Sequence, residues 1–163
     1  MPYRTTLAAL ALTTSMALLA GCASVAPAPQ PLAATAARTP QLSTFHQLLN
    51  QSGLADTLKT GGPYTVFAPS DAAFKAVPAK TLADLQADKA QLRAVLSYHI
   101  VPGRVLAADV KPGNVKSVQG ANLALSRAGT FVTVEDAMVE RADLLASDGV
   151  IHTIDRVLMP PKR

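Results

Sequence analysis

Residues 65–74 read Thr65-Val66-Phe67-Ala68-Pro69-Ser70-Asp71-Ala72-Ala73-Phe74, and the order of residue types in this stretch decides the fold. Tyr64 to Ala68 is an apolar, β-rich run, the pattern of a buried strand. Pro69 lacks the N–H needed to continue a ladder. Ser70 can accept the free amide hydrogens of a first helical turn, and Asp71 suits the positive end of that helix. Phe74 then points into the core. A buried strand is therefore expected to pass directly into a helix.

On the N-terminal side, Gly61-Gly62-Pro63 stops whatever precedes the strand. Leu42, Phe45, Leu48 and Leu49 fall on one face of a helix, which Ser43 or Thr44 can cap. A break at Asn50–Gly53 separates it from a short second helix, Leu54–Leu58. On the C-terminal side, Pro78–Ala87 holds a helix with Leu82 and Leu85 inward. Asp88 is expected to cap the next, Lys89–Ser97, whose apolar face is Leu92, Val95 and Leu96. Tyr98-His99-Ile100-Val101 leaves that helix into a short strand, turned by Pro102-Gly103.

Short β-type runs follow at Val115–Val118, Asn122–Leu125, Phe131–Val134 and Met138–Val139. Turns are expected at Pro112-Gly113-Asn114, Gln119-Gly120, Ala128-Gly129 and Glu135-Asp136. Val150–Leu158 reads as a closing strand. Helices come first and strands later, with one early strand, which indicates an α+β domain rather than a repeating βαβ chain.

The N-terminus has a different logic. Arg4 precedes Leu7–Ala20, a run without charge or proline. Such a run enters hydrocarbon readily but is short for a ~30 Å bilayer core, which fits a cleaved signal peptide over residues 1–21. Leu19-Ala20-Gly21-Cys22 resembles the bacterial lipobox. That resemblance implies acylation of Cys22 and attachment to a membrane, and Ala23, in place of an aspartate, implies sorting to the outer membrane. Cys22 is the single cysteine of the chain, so no internal disulfide supports the fold. Residues 22–40, rich in Ala and Pro, are expected to form a semi-extended tether. A domain over 41–160 and a basic tail at 161–163 complete the organisation.

The formal net charge of the 163-residue chain is +4, and Arg4 leaves with the signal peptide. Lys59, Lys75, Lys80, Lys89 and Arg93 are interleaved with carboxylates and Trp is absent, so there is no basic stripe with aromatic platforms and no nucleic-acid partner is expected. No glycine-rich phosphate cradle or dinucleotide motif is present.

Three segments carry a family likeness. Thr65–Phe74 is similar to the first signature of fasciclin-like domains, and Gly149-Val150-Ile151-His152-Thr153-Ile154-Asp155-Arg156-Val157-Leu158-Met159-Pro160 to the second. Tyr98-His99-Ile100-Val101 between them resembles the family's Tyr-His motif. The resemblance implies a compact α+β fold in which wedge-shaped β-sheets pack against a layer of helices. It further implies that the strand of the first signature lies beside the strand of the second. Thr65, Phe67, Pro69, Ser70, Phe74, Gly149, His152 and Asp155 are its structural signature positions. Tyr98 and His99 are its candidate adhesion positions, but the favoured expectation is structural: a buried His99 that donates to backbone, and a packed Tyr98 ring with its hydroxyl hydrogen-bonded. Asp148 stands where the family often has Asn, and an Asx-type turn is expected there.

Catalytic chemistry finds little support. Ser70 with His99 or His152 would need a bonded Ser–His pair and an orienting group, and a helix cap already explains Ser70. Asp84 and Asp88 share a helix spacing, but no further ligand stands at metal-binding distance in sequence, so a solvated face is expected. Catalytic residues, a metal and a cofactor are all expected to be absent. The expected function is a lipid-anchored, monomeric adhesion or binding module for a protein or polysaccharide. A periplasmic small-ligand binder with an apolar cleft is the alternative, and an envelope hydrolase a distant one.

Overall fold

In chain order the elements are α1 (Leu32–Arg38), α2 (Ser43–Ser52), α3 (Leu54–Thr60), β1 (Tyr64–Pro69), α4 (Asp71–Ala76), α5 (Ala79–Ala87), α6 (Lys89–Tyr98), β2 (Ile100–Pro102), β3 (Gly113–Lys116), β4 (Asn122–Ala128), β5 (Phe131–Val134), β6 (Ala137–Ala146) and β7 (Gly149–Ile154). The structure is a computed structural model that describes residues 28–161. The expected signal peptide, Cys22, and Lys162 and Arg163 of the basic tail lie outside the described residues.

The strands form one seven-stranded sheet in the order β2-β1-β7-β6-β5-β4-β3. At its centre β1 and β7 run parallel, in register from Tyr64 opposite Gly149 to Pro69 opposite Ile154. The two signature segments are thus neighbours, and the α+β class holds. β1 is buried on both faces, which explains why it shows a continuous apolar run rather than alternation. Val66 and Ala68 face the helices, in a core with Phe45, Leu49, Leu92, Leu96 and Ile151. Phe67 faces the other way, into a second core with Tyr98, Leu123, Leu125, Val132, Val134, Ile154 and Leu158.

That second core exists because the sheet curls. β5 meets β6 only at Thr133 opposite Met138 and Val134 opposite Ala137. β6 slips register twice between Val139 and Leu144, with Asp143 at φ 57°. Such bulges bend a strand and sharpen its twist. Beyond the two outer strands the curl is tied shut, as the Val118 N–H donates to the Ile100 carbonyl at 2.7 Å and the Gln119 N–H to that of Ser97 at 3.2 Å. The wedge therefore presents few free edges.

Gly149 is required at the seam. A Cβ there would collide with the Tyr64 carbonyl oxygen and stand 3.0 Å from Leu32 Cδ1. Glycine lets β1, β7 and α1 approach together.

Several expectations need correction. The 22–40 tether is not extended throughout, because Leu32–Arg38 is a helix docked on the domain, with Leu32 and Ala36 buried. Burying a leucine such as Leu32 contributes about 2 kcal/mol, enough to offset a weak intrinsic signal. Ser43 and Thr44 do not cap α2. Instead the Asp71 carboxylate reaches across from α4, accepting from the Thr44 N–H at 2.8 Å and the Ser43 hydroxyl at 2.6 Å. The turn before Gly149 survives, but Asp148 uses its carboxylate to accept the Leu32 N–H at 2.7 Å, so it caps α1 from a distance.

The closing strand ends at Ile154 rather than Leu158. β6 is far longer than the Met138–Val139 run, since Glu140, Arg141, Ala142 and Asp143 are exposed and show no apolar alternation, and the strand is held by pairing with β7 at Val139, Arg141 and Leu144. Gly113 and Asn114 pair with Leu125 and Ala124 rather than forming a turn.

Candidate functional site

The signature side chains are engaged inside the domain. Thr65, fully buried, donates its hydroxyl to the Gly103 carbonyl at 2.8 Å and accepts the Val105 N–H at 2.9 Å, pinning the loop after β2. Phe67 stacks on His152 with ring centroids 5.5 Å apart. Pro69 closes β1, and the Ser70 N–H donates to the Ile154 carbonyl. Ser70 Oγ accepts the Ala73 N–H at 3.3 Å as the cap of α4, and Phe74 is buried beneath that helix. Asp155 Oδ1 accepts the Met138 N–H at 2.7 Å and so terminates β6.

The two signature histidines are structural as well. His99 is completely buried. The Leu158 N–H donates to its Nε2 at 3.0 Å, so the proton sits on Nδ1, which donates to the Val95 carbonyl at 2.8 Å. Burial pushes its pKa down to about 4, against the opposing pull of the Val95 carbonyl. His152 has the other tautomer: Nδ1 accepts the Asp143 N–H at 3.2 Å and Nε2 donates to the Val105 carbonyl at 2.8 Å. Burial lowers its pKa too, opposed by the Val105 bond and the Asp143 charge.

Tyr98 is 3 % exposed, with its hydroxyl 3.1 Å from the Asn122 carbonyl and 3.3 Å from Glu135 Oε1. Burial and the adjacent Glu135 carboxylate push its pKa up to about 12. Tyr98 and His99 are therefore core residues, which agrees with the structural role expected of them and corrects the adhesion alternative, because neither offers surface to a partner. Ser70 is bonded to neither histidine, and each ring nitrogen is already committed to backbone. Among the described residues no three His, Cys, Asp or Glu side chains converge in a geometry that could hold a metal ion.

The surface supplies what the signatures do not. A groove of about 610 Å3 lies where Met159, Pro160 and Pro161 pass over α5 and α6. Its floor is Leu85, Ala94 and Val95, while Thr81, Asp84, Gln91 and Gln119 bring polar groups to it. A hollow of about 450 Å3 shares Thr81 and Met159 with it and extends toward Asp155 and Arg156. Met159 is 44 % exposed. A concave, mainly apolar site with a few convergent polar groups is the usual form of a small-ligand or anchor-residue pocket. Sequence reasoning placed Leu85 and Val95 in the core and Asp84 on a solvated face. It could not place the groove, because the groove is created by where the chain after β7 lies.

A model of the fasciclin domain family matches residues 40–160 of the chain. Protein sll1483 of Synechocystis sp. is 41 % identical over 128 residues, covering 77 % of this chain and 71 % of the relative. The immunogenic protein MPB70 of Mycobacterium bovis is 37 % identical over 136 residues, covering 80 % and 69 %. The cell surface glycolipoprotein MPB83 of the same species is 35 % identical over 139 residues, covering 82 % and 62 %. Among solved structures, a FAS1 domain pair from the insect cell adhesion molecule fasciclin I superposes with a TM-score of 0.61 at 24 % identity, covering 74 % of this chain and 46 % of that one. That similarity concerns the fold.

Proposed function

This chain belongs to the fasciclin domain family, and from that premise we propose that it is a non-catalytic binding or adhesion module held at the cell envelope by lipid on Cys22. The observation that carries this reading is the burial of the signature: Thr65, Ser70, Tyr98, His99 and His152 are all inside, with their polar atoms spent on the fold. A domain so constituted is a rigid scaffold, and function on a rigid scaffold belongs to its surface. One relative supports an envelope setting by its name. MPB83 of Mycobacterium bovis is named a cell surface glycolipoprotein. The lipobox-like Leu19–Cys22 and Ala23 favour the outer membrane. The partner class is a protein or polysaccharide met by surface complementarity.

Fatty-acid labelling of cells producing the full chain, with Cys22→Ser as control, tests the anchor, and crosslinking on intact cells tests the partner. Label that depends on Cys22 and a captured macromolecule are the expected results. Label independent of Cys22, or cells on which nothing macromolecular is captured, would overturn the reading.

The groove favours a second reading, a small-ligand-binding lipoprotein. Its volume of about 610 Å3 and the Asp84, Gln91 and Gln119 side chains at its rim suit a compact amphipathic molecule. The hydrolase alternative has no corresponding observation, since the Ser70 oxygen is engaged as a helix cap.

A further inference from the structure

The described chain begins close to one end of the sheet. The Ser147 N–H donates to the Gln30 carbonyl at 2.9 Å, and Asp148 holds the Leu32 N–H. Both contacts are made at the turn joining β6 to β7. The same end carries the start of β1, where the Tyr64 N–H donates to the Asp148 carbonyl, and the Pro102-Gly103-Arg104 turn, where the Gly103 N–H donates to the Pro63 carbonyl. Arg104 reaches the Ala146 and Ser147 carbonyls through Nη2. The opposite end, about 17 Å away along β1, carries Ser70, Asp155 and the Glu135-Asp136 turn, and from it the chain continues into the groove.

Cys22 precedes Gln30 by eight positions. Fully extended, eight residues reach at most about 28 Å, comparable to the domain itself. A lipid on Cys22 therefore attaches the domain by this end, within about 28 Å of Gln30, and the surface nearest the attachment is the one held at the highest effective concentration against the membrane. The exposed residues around the exit point suit an interface with lipid: Leu145 is 58 % exposed two positions from Ser147, and Arg104 supplies a cation facing the same end. Apolar side chains enter the headgroup boundary, and basic ones are attracted to anionic lipid. Asp148, the carboxylate at this end, is spent on capping α1.

We propose that the Leu145–Asp148 turn and Arg104 form a membrane-facing surface, so that the bilayer carrying the chain's own lipid is the partner of this end and the groove is turned outward. This rests on acylation of Cys22. It goes beyond the binding reading by fixing which face is left for a partner.

The test uses the full chain, produced with lipoprotein processing and reconstituted in phosphatidylethanolamine–phosphatidylglycerol vesicles. Because Cys22 is the single native cysteine and would be acylated, an introduced cysteine is the one free thiol. Leu145→Cys and Asp136→Cys are each labelled with a fluorophore and exposed to a headgroup-attached nitroxide quencher. Flotation is measured first, with Cys22→Ser as control. Quenching several-fold stronger at 145 than at 136, on protein that floats, is the expected result. Floating protein with equal or reversed quenching would overturn the orientation and leave the anchor intact. Wild-type protein that does not float would overturn the anchor, and the orientation with it.

Discussion

His99 shows how one buried side chain gives the domain an acid-sensitive seam. Its two nitrogens join the end of α6 to Leu158, where no solvent can replace either bond. The ring is held neutral, with a pKa near 4, whereas an exposed histidine titrates near 6.5. Between those values the unfolded chain binds more protons than the native one, so stability falls as pH drops through that window and levels off below it. The loss from His99 is roughly 3 kcal/mol, and the lowered pKa of His152 adds in the same direction. Urea unfolding at pH 7 and pH 4.5 checks this. His99→Gln is expected to be less stable at pH 7 but to lose clearly less on acidification than the wild type. Parallel profiles would show that the ring is not held neutral. Asp71 acts lower in the pH scale. Burial raises its carboxyl, but the Ser43 and Thr44 bonds outweigh this and leave it below its ordinary value. Its contribution is thus present above about pH 4 and is lost as pH falls through its native pKa.

At the scale of elements, the N-terminal helix is the main surprise. α1 has only seven residues and no acidic residue in its first turn, so it would not persist alone in water. It exists because Leu32 and Ala36 complete the core against α2, α3 and β7, and because Asp148 satisfies a free N–H. Leu32→Ala should cost about 2–5 kcal/mol, and Asp148→Ala about 1 kcal/mol, both measured by thermal unfolding of the otherwise unchanged chain. A Leu32→Ala variant as stable as the wild type would restore the extended tether expected from composition. The exchange of caps follows the same pattern. Asp71 lies in the first turn of α4 but secures the first turn of α2, so the two helices are coupled through one carboxylate.

The whole molecule is a curled sheet with its helices on one side, its N-terminal approach at one end and its groove opening beyond the other. Filling the groove separates the two readings of function. Ala94 lines it and is half-buried, so Ala94→Trp should occupy space while leaving β1, β7 and the signature contacts in place. If the groove binds a small amphipathic molecule, binding of that molecule in calorimetry should fall at least tenfold while unfolding changes little. If the macromolecular partner docks there instead, crosslinking to it on intact cells should be lost. A variant that retains both would place the binding surface elsewhere on the domain.

What the chain determined by itself is local and periodic. The run from Tyr64 to Phe74 specifies a buried strand passing into a helix capped by Ser70, and Asp88 caps α6 as its position before Lys89 implies. These features follow from nearest-neighbour chemistry, so they are legible without a fold. Tertiary structure decided everything that depends on partners distant in sequence. Glu140, Arg141, Ala142 and Asp143 of β6 are exposed, offer no apolar alternation and become strand only beside β7. Pro-flanked Leu32–Arg38 becomes helix only against a core, Tyr98 loses its surface only when the sheet curls over it, and His99 only when the helices and the chain after β7 close around it. The groove belongs to this second class, because a concavity is a relation between segments and leaves no periodic trace in any one of them.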